Sequence, residues 1–117
     1  MPRFVILRHD FPEPHWDFML EHGPVLKSWR LASLPAHGEV IAAKALPDHR
    51  PHYLDYEGPV SGNRGTVVRC DRGDYRTEDA LDADTLRIDL LGETFQGTAI
   101  LRHTQDADWV FQWFVRA

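Results

Sequence analysis

Apolar positions in this chain recur mostly at intervals of two, the period of a strand with one buried face, and seldom at the 3.6-residue period of an amphipathic helix. Residues 4–7, Phe-Val-Ile-Leu, form a short β-branched and aromatic run that stops at the turn Phe11-Pro12-Glu13-Pro14. From 15 to 21 the chain alternates, with His15, Asp17, Met19 and Glu21 on one face and Trp16, Phe18 and Leu20 on the other. The turn His22-Gly23-Pro24 leads into residues 25–31, and the two runs read as a β-hairpin. Between 32 and 58 the chain is rich in Pro, His, Gly and Asp, and only 39–45 promises regular structure. Residues 65–70 predict another strand, ending at an Asp71-Arg72-Gly73-Asp74 turn, and 78–84 predict one helical turn. Leu86, Ile88 and Leu90 then alternate with Arg87 and Asp89, and residues 95–102 and 109–115 close the chain. The last run is apolar on both faces, which places it at the centre of the sheet. Seven or so short strands between turn signals predict a mainly β fold, a compact antiparallel β-barrel-like domain with one or two short helices. Trp29, Trp109 and Trp113 are expected to fill its core.

Composition narrows the setting. A length of 117 residues suits one domain, 1–117, and 43% apolar with 26% charged residues is ordinary for a globular protein. One cysteine, Cys70, excludes an intrachain disulfide and fits a reducing, cytoplasmic compartment. The apolar run before Arg8 is too short for a signal peptide or a membrane span, so no membrane partner is expected. The net charge is −5 despite 13 basic residues. Proteins that grip duplex DNA through many phosphates carry a basic face, so only weak non-specific duplex binding is expected and any nucleic-acid contact should be local.

Candidate chemistry concentrates in residues 9–17. On a strand, residues two apart project from one face roughly 6.5 Å apart, so His15 and Asp17 can aim at one point. His9 ends the preceding strand, across a turn stiffened by Pro12 and Pro14. Two neutral imidazoles and a carboxylate make a three-point site for a divalent cation with positions left for water or a substrate oxygen, suited to Lewis-acid work on a phosphoryl group. A pair of surface histidines beside a strand carboxylate is the bland alternative. A further reading joins His15 and Asp17 to a distant histidine such as His103 in an iron-type facial triad. A second polar cluster, 48–58, holds His49, Arg50, His52, Tyr53 and Tyr56. Histidine there can donate a proton to a leaving oxygen and Tyr53 can hydrogen-bond a phosphoryl oxygen; otherwise the segment is a surface loop pinned by its two tyrosines. His22, His37, His52 and His103 are expected to be solvated or packed.

These clusters follow a known order. The chain resembles the 3′-phosphoesterase domain of bacterial DNA ligase D and its stand-alone relatives. That pattern runs His, five residues, His-x-Asp-x-Arg-Leu-Glu, then Leu-Lys-Ser-Trp, Asp-His-Pro-Leu-Asp-Tyr-x-Asp-Phe-Glu-Gly, Gly-Thr-Val and Trp-Asp-x-Gly-x-Tyr. This chain has His9, His15, Asp17, Leu20-Glu21, Leu26-Lys27-Ser28-Trp29, Asp48-His49, Tyr53, Asp55-Tyr56-Glu57-Gly58, Gly65-Thr66-Val67 and Asp71-Arg72-Gly73-Asp74-Tyr75. The match spans nearly the whole chain and continues into its closing strands. The resemblance implies a β-barrel-like fold and removal of a 3′-phosphate or 3′-ribonucleoside. It implies His9, His15 and Asp17 as ligands of a divalent metal, Mn²⁺ first and Zn²⁺ second, and His49 and Tyr53 as catalytic groups at the scissile phosphate.

Departures from the pattern qualify the chemistry. Met19 stands where the family's phosphate-binding arginine would be, and a thioether cannot make its bidentate charged bonds. Ala32-Ser33-Leu34 replaces an expected Pro-Lys-Gly, Ile41 falls where a second arginine would, and the glycine-rich turn is shortened to Ser61-Gly62-Asn63-Arg64-Gly65. Arg50 and Arg64 are the substrate-binding candidates in their place, with Arg30 and Lys44 as others. The expectation is a metal-dependent phosphoesterase, a hydrolase for DNA repair, acting on a nucleic-acid 3′ end or a small phosphoester. The alternative is a non-catalytic metal- or end-binding module of the same fold.

Overall fold

The computed structural model describes residues 1–116. The strands are β1 (Arg3–His9), β2 (His15–His22), β3 (Val25–Leu31), β4 (Val40–His49), β5 (Gly58–Pro59), β6 (Thr66–Arg76), β7 (Thr85–Gly92), β8 (Gln96–Gln105) and β9 (Asp108–Val115), with one 3₁₀ turn at Pro51–Leu54. All strand pairs are antiparallel, in the order β1-β2-β3-β4-β9-β8-β7-β6-β5, and β1 also pairs with β6. That last pairing closes eight strands into a barrel and leaves β5 as a short addition to β6. Closure leaves the eight strands without a free edge, the usual hazard of an antiparallel sheet.

Period-two alternation fills the barrel. Phe4 and Ile6, Phe18 and Leu20, Trp29 and Leu31, Ile88 and Leu90, and Phe111 and Trp113 all point into one buried cluster. Their neighbours point out, and on part of the wall these are apolar too. Val5, Leu7, Met19, Leu26 and Val67 form a second cluster on the outside, capped by Leu54 with Tyr53, Tyr56 and Val60 packed against it. The segment after β4 thus folds back over β1 and β2. Arg3 with Asp55 (3.1 Å), the Tyr56 hydroxyl donating to the Pro59 carbonyl, and the Arg69 N–H donating to Glu57 (2.8 Å) pin it there.

Several expectations change. The expected turn at 71–74 is the interior of β6, whose irregularity is instead a bulge at Cys70: Ile6 faces Asp71 whereas Leu7 faces Arg69. Gly73 serves close approach, since a Cβ there would collide with the Leu91 carbonyl on β7. Residues 78–84 are turns, not helix, because local polar side chains take the backbone bonds. The Thr77 hydroxyl donates to the Arg87 carbonyl (2.8 Å), and the Arg87 N–H donates to Asp79 (2.8 Å). Among the described residues the one helical element is the 3₁₀ turn, in a segment expected to be loop. β9 does lie between two strands, but its outward residues Val110, Gln112 and Phe114 are only half-buried. In a closed barrel every strand has two neighbours, so central pairing does not require two buried faces. Among the described residues no helix is long and apolar enough to cross a membrane.

Candidate metal centre

The β1–β2 register builds the site. His9 lies directly opposite His15, and Leu7 opposite Asp17. All three polar residues share the outward parity of Val5, Leu7 and Met19, so they meet on the barrel's outer wall beside the second apolar cluster. One ligand atom from each of His9, His15 and Asp17 lies within 4.8 Å of the others. His15 Nε2 stands 3.3 Å from Asp17 Oδ1, and His9 Nδ1 3.9 Å from Oδ2. The two imidazole rings meet edge to face, with centroids 5.0 Å apart.

Backbone carbonyls set which nitrogen of each ring faces inward. His15 Nδ1 is 2.9 Å from the Glu13 carbonyl, and His9 Nε2 is 2.6 Å from the Arg64 carbonyl. A carbonyl only accepts, so each of those nitrogens carries the proton and donates it. The other nitrogen of each neutral ring then presents a lone pair to the centre, as metal-binding histidines do. The Arg64 carbonyl is itself positioned by Asp10, whose carboxylate accepts the Thr66 N–H (2.7 Å). Gly65 permits that contact: its φ is +77°, and a Cβ would collide with the Asp10 carboxylate.

Asp17 is 4% exposed, and its Oδ1 has no hydrogen-bond donor. Burial pushes its carboxyl pKa up, while His15, His49, His9 and Arg30 pull it back. Its two oxygens, one facing each ring, are poorly satisfied unless a cation or a ring proton joins them. The donor set of two imidazole nitrogens and a carboxylate fits a divalent ion of the Mn²⁺ or Zn²⁺ type. Among the described residues no other three His, Cys, Asp or Glu side chains converge in this way. His103 is bound instead to the Asp106 carbonyl (2.7 Å) and Asp84 (3.4 Å), so the iron-type triad through it does not form.

The second cluster divides. His49 ends β4 and stands edge-on to Tyr53 at 5.8 Å between centroids. Its Nδ1 is buried without a hydrogen-bond partner. Asp55, Tyr56 and Glu57 make the pinning contacts already described. Arg50 is exposed ahead of the 3₁₀ turn, and the Arg64 guanidinium donates to Ser61 through Nε (2.7 Å) and Nη2 (3.1 Å). Met19, in the position of the family arginine, is 1% exposed within the outer apolar cluster. The Glu13 and Arg64 carbonyls were invisible to sequence reading, because backbone atoms carry no residue-type signal. A concavity of about 910 Å³ lies by His22, Tyr75 and Arg76 and does not include the triad.

The sequence profile of the DNA Ligase D 3′-phosphoesterase domain matches residues 7–103. The chain is 30% identical over 122 residues to the multifunctional non-homologous end joining protein LigD of Pseudomonas aeruginosa, covering 97% of this chain and 14% of that protein. It is 32% identical over 115 residues to the Mycobacterium bovis protein of the same name, covering 92% of this chain and 15% of the relative. The same figures hold for the multifunctional non-homologous end joining DNA repair protein LigD of Mycobacterium tuberculosis. The chain therefore spans only about one-seventh of the length of these relatives.

Proposed function

The chain belongs to the DNA Ligase D 3′-phosphoesterase domain family, and from that premise we propose that it is a metal-dependent phosphoesterase that removes a terminal phosphate, or a 3′-ribonucleoside, from a nucleic-acid end in DNA repair. The observation that carries the reading is the triad, in which both imidazoles are held with a lone pair turned toward a buried, unsatisfied carboxylate. A divalent cation held by His9, His15 and Asp17, Mn²⁺ in this reading, would supply Lewis-acid polarisation of a phosphoryl oxygen. His49 donates a proton to the leaving 3′ oxygen as water adds to phosphorus, and the Tyr53 hydroxyl donates a hydrogen bond to a phosphoryl oxygen. The match to the DNA Ligase D 3′-phosphoesterase domain favours a nucleic-acid end over a small phosphoester.

Purified protein with Mn²⁺ is expected to release phosphate from a 3′-phosphate oligonucleotide, and His15→Ala and His49→Ala are each expected to lose that activity. No release from such oligonucleotides by the wild type overturns the reading. Burial of Met19 favours a second reading, a non-catalytic end-binding module. Binding of a 3′-phosphate end without turnover selects it.

A further inference from the structure

Three buried polar atoms without hydrogen-bond partners belong to adjacent strands of the same wall: Oδ1 of Asp17 on β2, Nε of Arg30 on β3 and Nδ1 of His49 at the end of β4. The others among the described residues are the indole nitrogens of Trp29 and Trp113 and Nε of Arg69. Buried polar groups normally find partners, so a cluster of orphans asks for a ligand. A cation in the triad would satisfy Asp17. It cannot satisfy Arg30, because a guanidinium has five donors and no lone pair to offer a metal. What Arg30 lacks is an acceptor.

Register puts that lack at the reacting centre. Arg30 faces Asp17 directly across the β2–β3 ladder, on the same outward face, and its charge is felt by the Asp17 carboxyl. Among the described residues it makes no ion pair with a carboxylate. The other cations near the centre are differently placed. Arg64 is engaged by Ser61, Lys44 pairs with Asp108 (3.7 Å), and Arg50 is exposed. Position 19 holds a buried methionine.

We propose that Arg30 is the phosphate-binding cation of this centre, donating from Nε and a terminal nitrogen to two phosphoryl oxygens beside the metal triad. The assignment rests on the phosphoesterase reading. It places the charge on β3, one strand away from Met19, and gives the substrate phosphate a planar two-point grip that a lysine cannot reproduce.

The test uses the full chain with Mn²⁺, titrated with two oligonucleotides of one sequence, ending in a 3′-phosphate or a 3′-hydroxyl. Arg30→Met is expected to weaken 3′-phosphate binding by about tenfold to a hundredfold, the scale of a lost charge-assisted contact. Affinity for the 3′-hydroxyl strand is expected to stay unchanged, and Mn²⁺ is expected to bind no more weakly, since the charge removed faces Asp17. Arg30→Lys, which keeps the charge but not the fork, is expected to restore part of the loss and guards against misfolding of the first variant. The ¹⁵N resonance of Arg30 Nε in the wild type is expected to shift on adding inorganic phosphate. A wild type that prefers the 3′-phosphate strand, with that preference intact in Arg30→Met, overturns the assignment alone. A wild type that neither binds nor hydrolyses the 3′-phosphate strand overturns the phosphoesterase reading and this assignment with it.

Discussion

Replacing Asp17 by asparagine should stabilise the metal-free protein and abolish its stabilisation by metal. In the fold, the Asp17 carboxylate is 4% exposed and its Oδ1 has no donor. When both rings are neutral, the nearest groups, His15 Nε2 at 3.3 Å and His9 Nδ1 at 3.9 Å, present lone pairs, because the one proton of each ring sits on the nitrogen that donates to a carbonyl. Without a cation, and with both rings neutral, the position is therefore a buried, unsatisfied charge. An amide of the same shape removes the charge and offers its NH₂ to an imidazole lone pair. Relieving one unsatisfied buried group is worth about 1–3 kcal/mol. In a domain of this size each kcal/mol moves Tm by roughly 3–6 °C. With metal at a hundred times its dissociation constant, the wild type gains about 2.7 kcal/mol, and Asp17→Asn, lacking the anionic ligand, should gain almost none. Thermal unfolding of both proteins in chelator and in excess Mn²⁺ reads all four values. The two proteins should exchange rank or converge when metal is added. A variant less stable than wild type in chelator, or stabilised equally by Mn²⁺, refutes the geometry inferred for the triad.

Three further outcomes follow from particular contacts. Met19→Arg, which restores the family residue, should cost about 2–4 kcal/mol in urea unfolding, because it drives a charge among Val5, Leu7, Leu26 and Val67; an unchanged midpoint would mean that the outer cluster opens easily. Asp71→Ala should cost about 2–4 kcal/mol by the same assay, since its buried carboxylate accepts the N–H groups of Glu93, Thr94 and Phe95; a loss under about 0.5 kcal/mol, the range of an ordinary surface substitution, would show that those donors find other partners. Burial holds the Tyr75 phenol above its ordinary pKa, and its hydroxyl donates to the Glu21 carbonyl (2.7 Å). With the folded pKa raised, that stabilisation is complete below about pH 10, the value in the unfolded chain, and is lost as pH rises through the folded value. Wild type should exceed Tyr75→Phe by about 1 kcal/mol near neutrality and lose the advantage in alkali; a gap that stays constant with pH would exclude the phenol as its source.

Much of this was legible in the order of residues. Period-two alternation in 15–21 and 86–90 marked strands because a pleated backbone sends successive side chains to opposite faces, whatever lies around them. The spacing of His15 and Asp17 placed them on one face for the same reason. Met19 shows where that reading stopped. Its face also carries His15, Asp17 and Glu21, yet the segment 50–60 folds over it and buries it. The expected turn at 71–74 failed similarly: the glycine there relieves a contact with β7, some twenty residues on.

By itself, then, the sequence determined what depends on near neighbours: strand period, the His22-Gly23-Pro24 hairpin turn and the residue types of the triad. Tertiary structure decided what depends on distant ones. Closure of β1 onto β6 turned a run of hairpins into a barrel without a free edge. The carbonyl of Arg64, fifty-five residues from His9, selects which nitrogen of that imidazole faces the centre. The β2–β3 register sets Arg30 opposite Asp17. Hydrogen-bond direction and strand register belong to pairs of segments, and so no single stretch of chain encodes them.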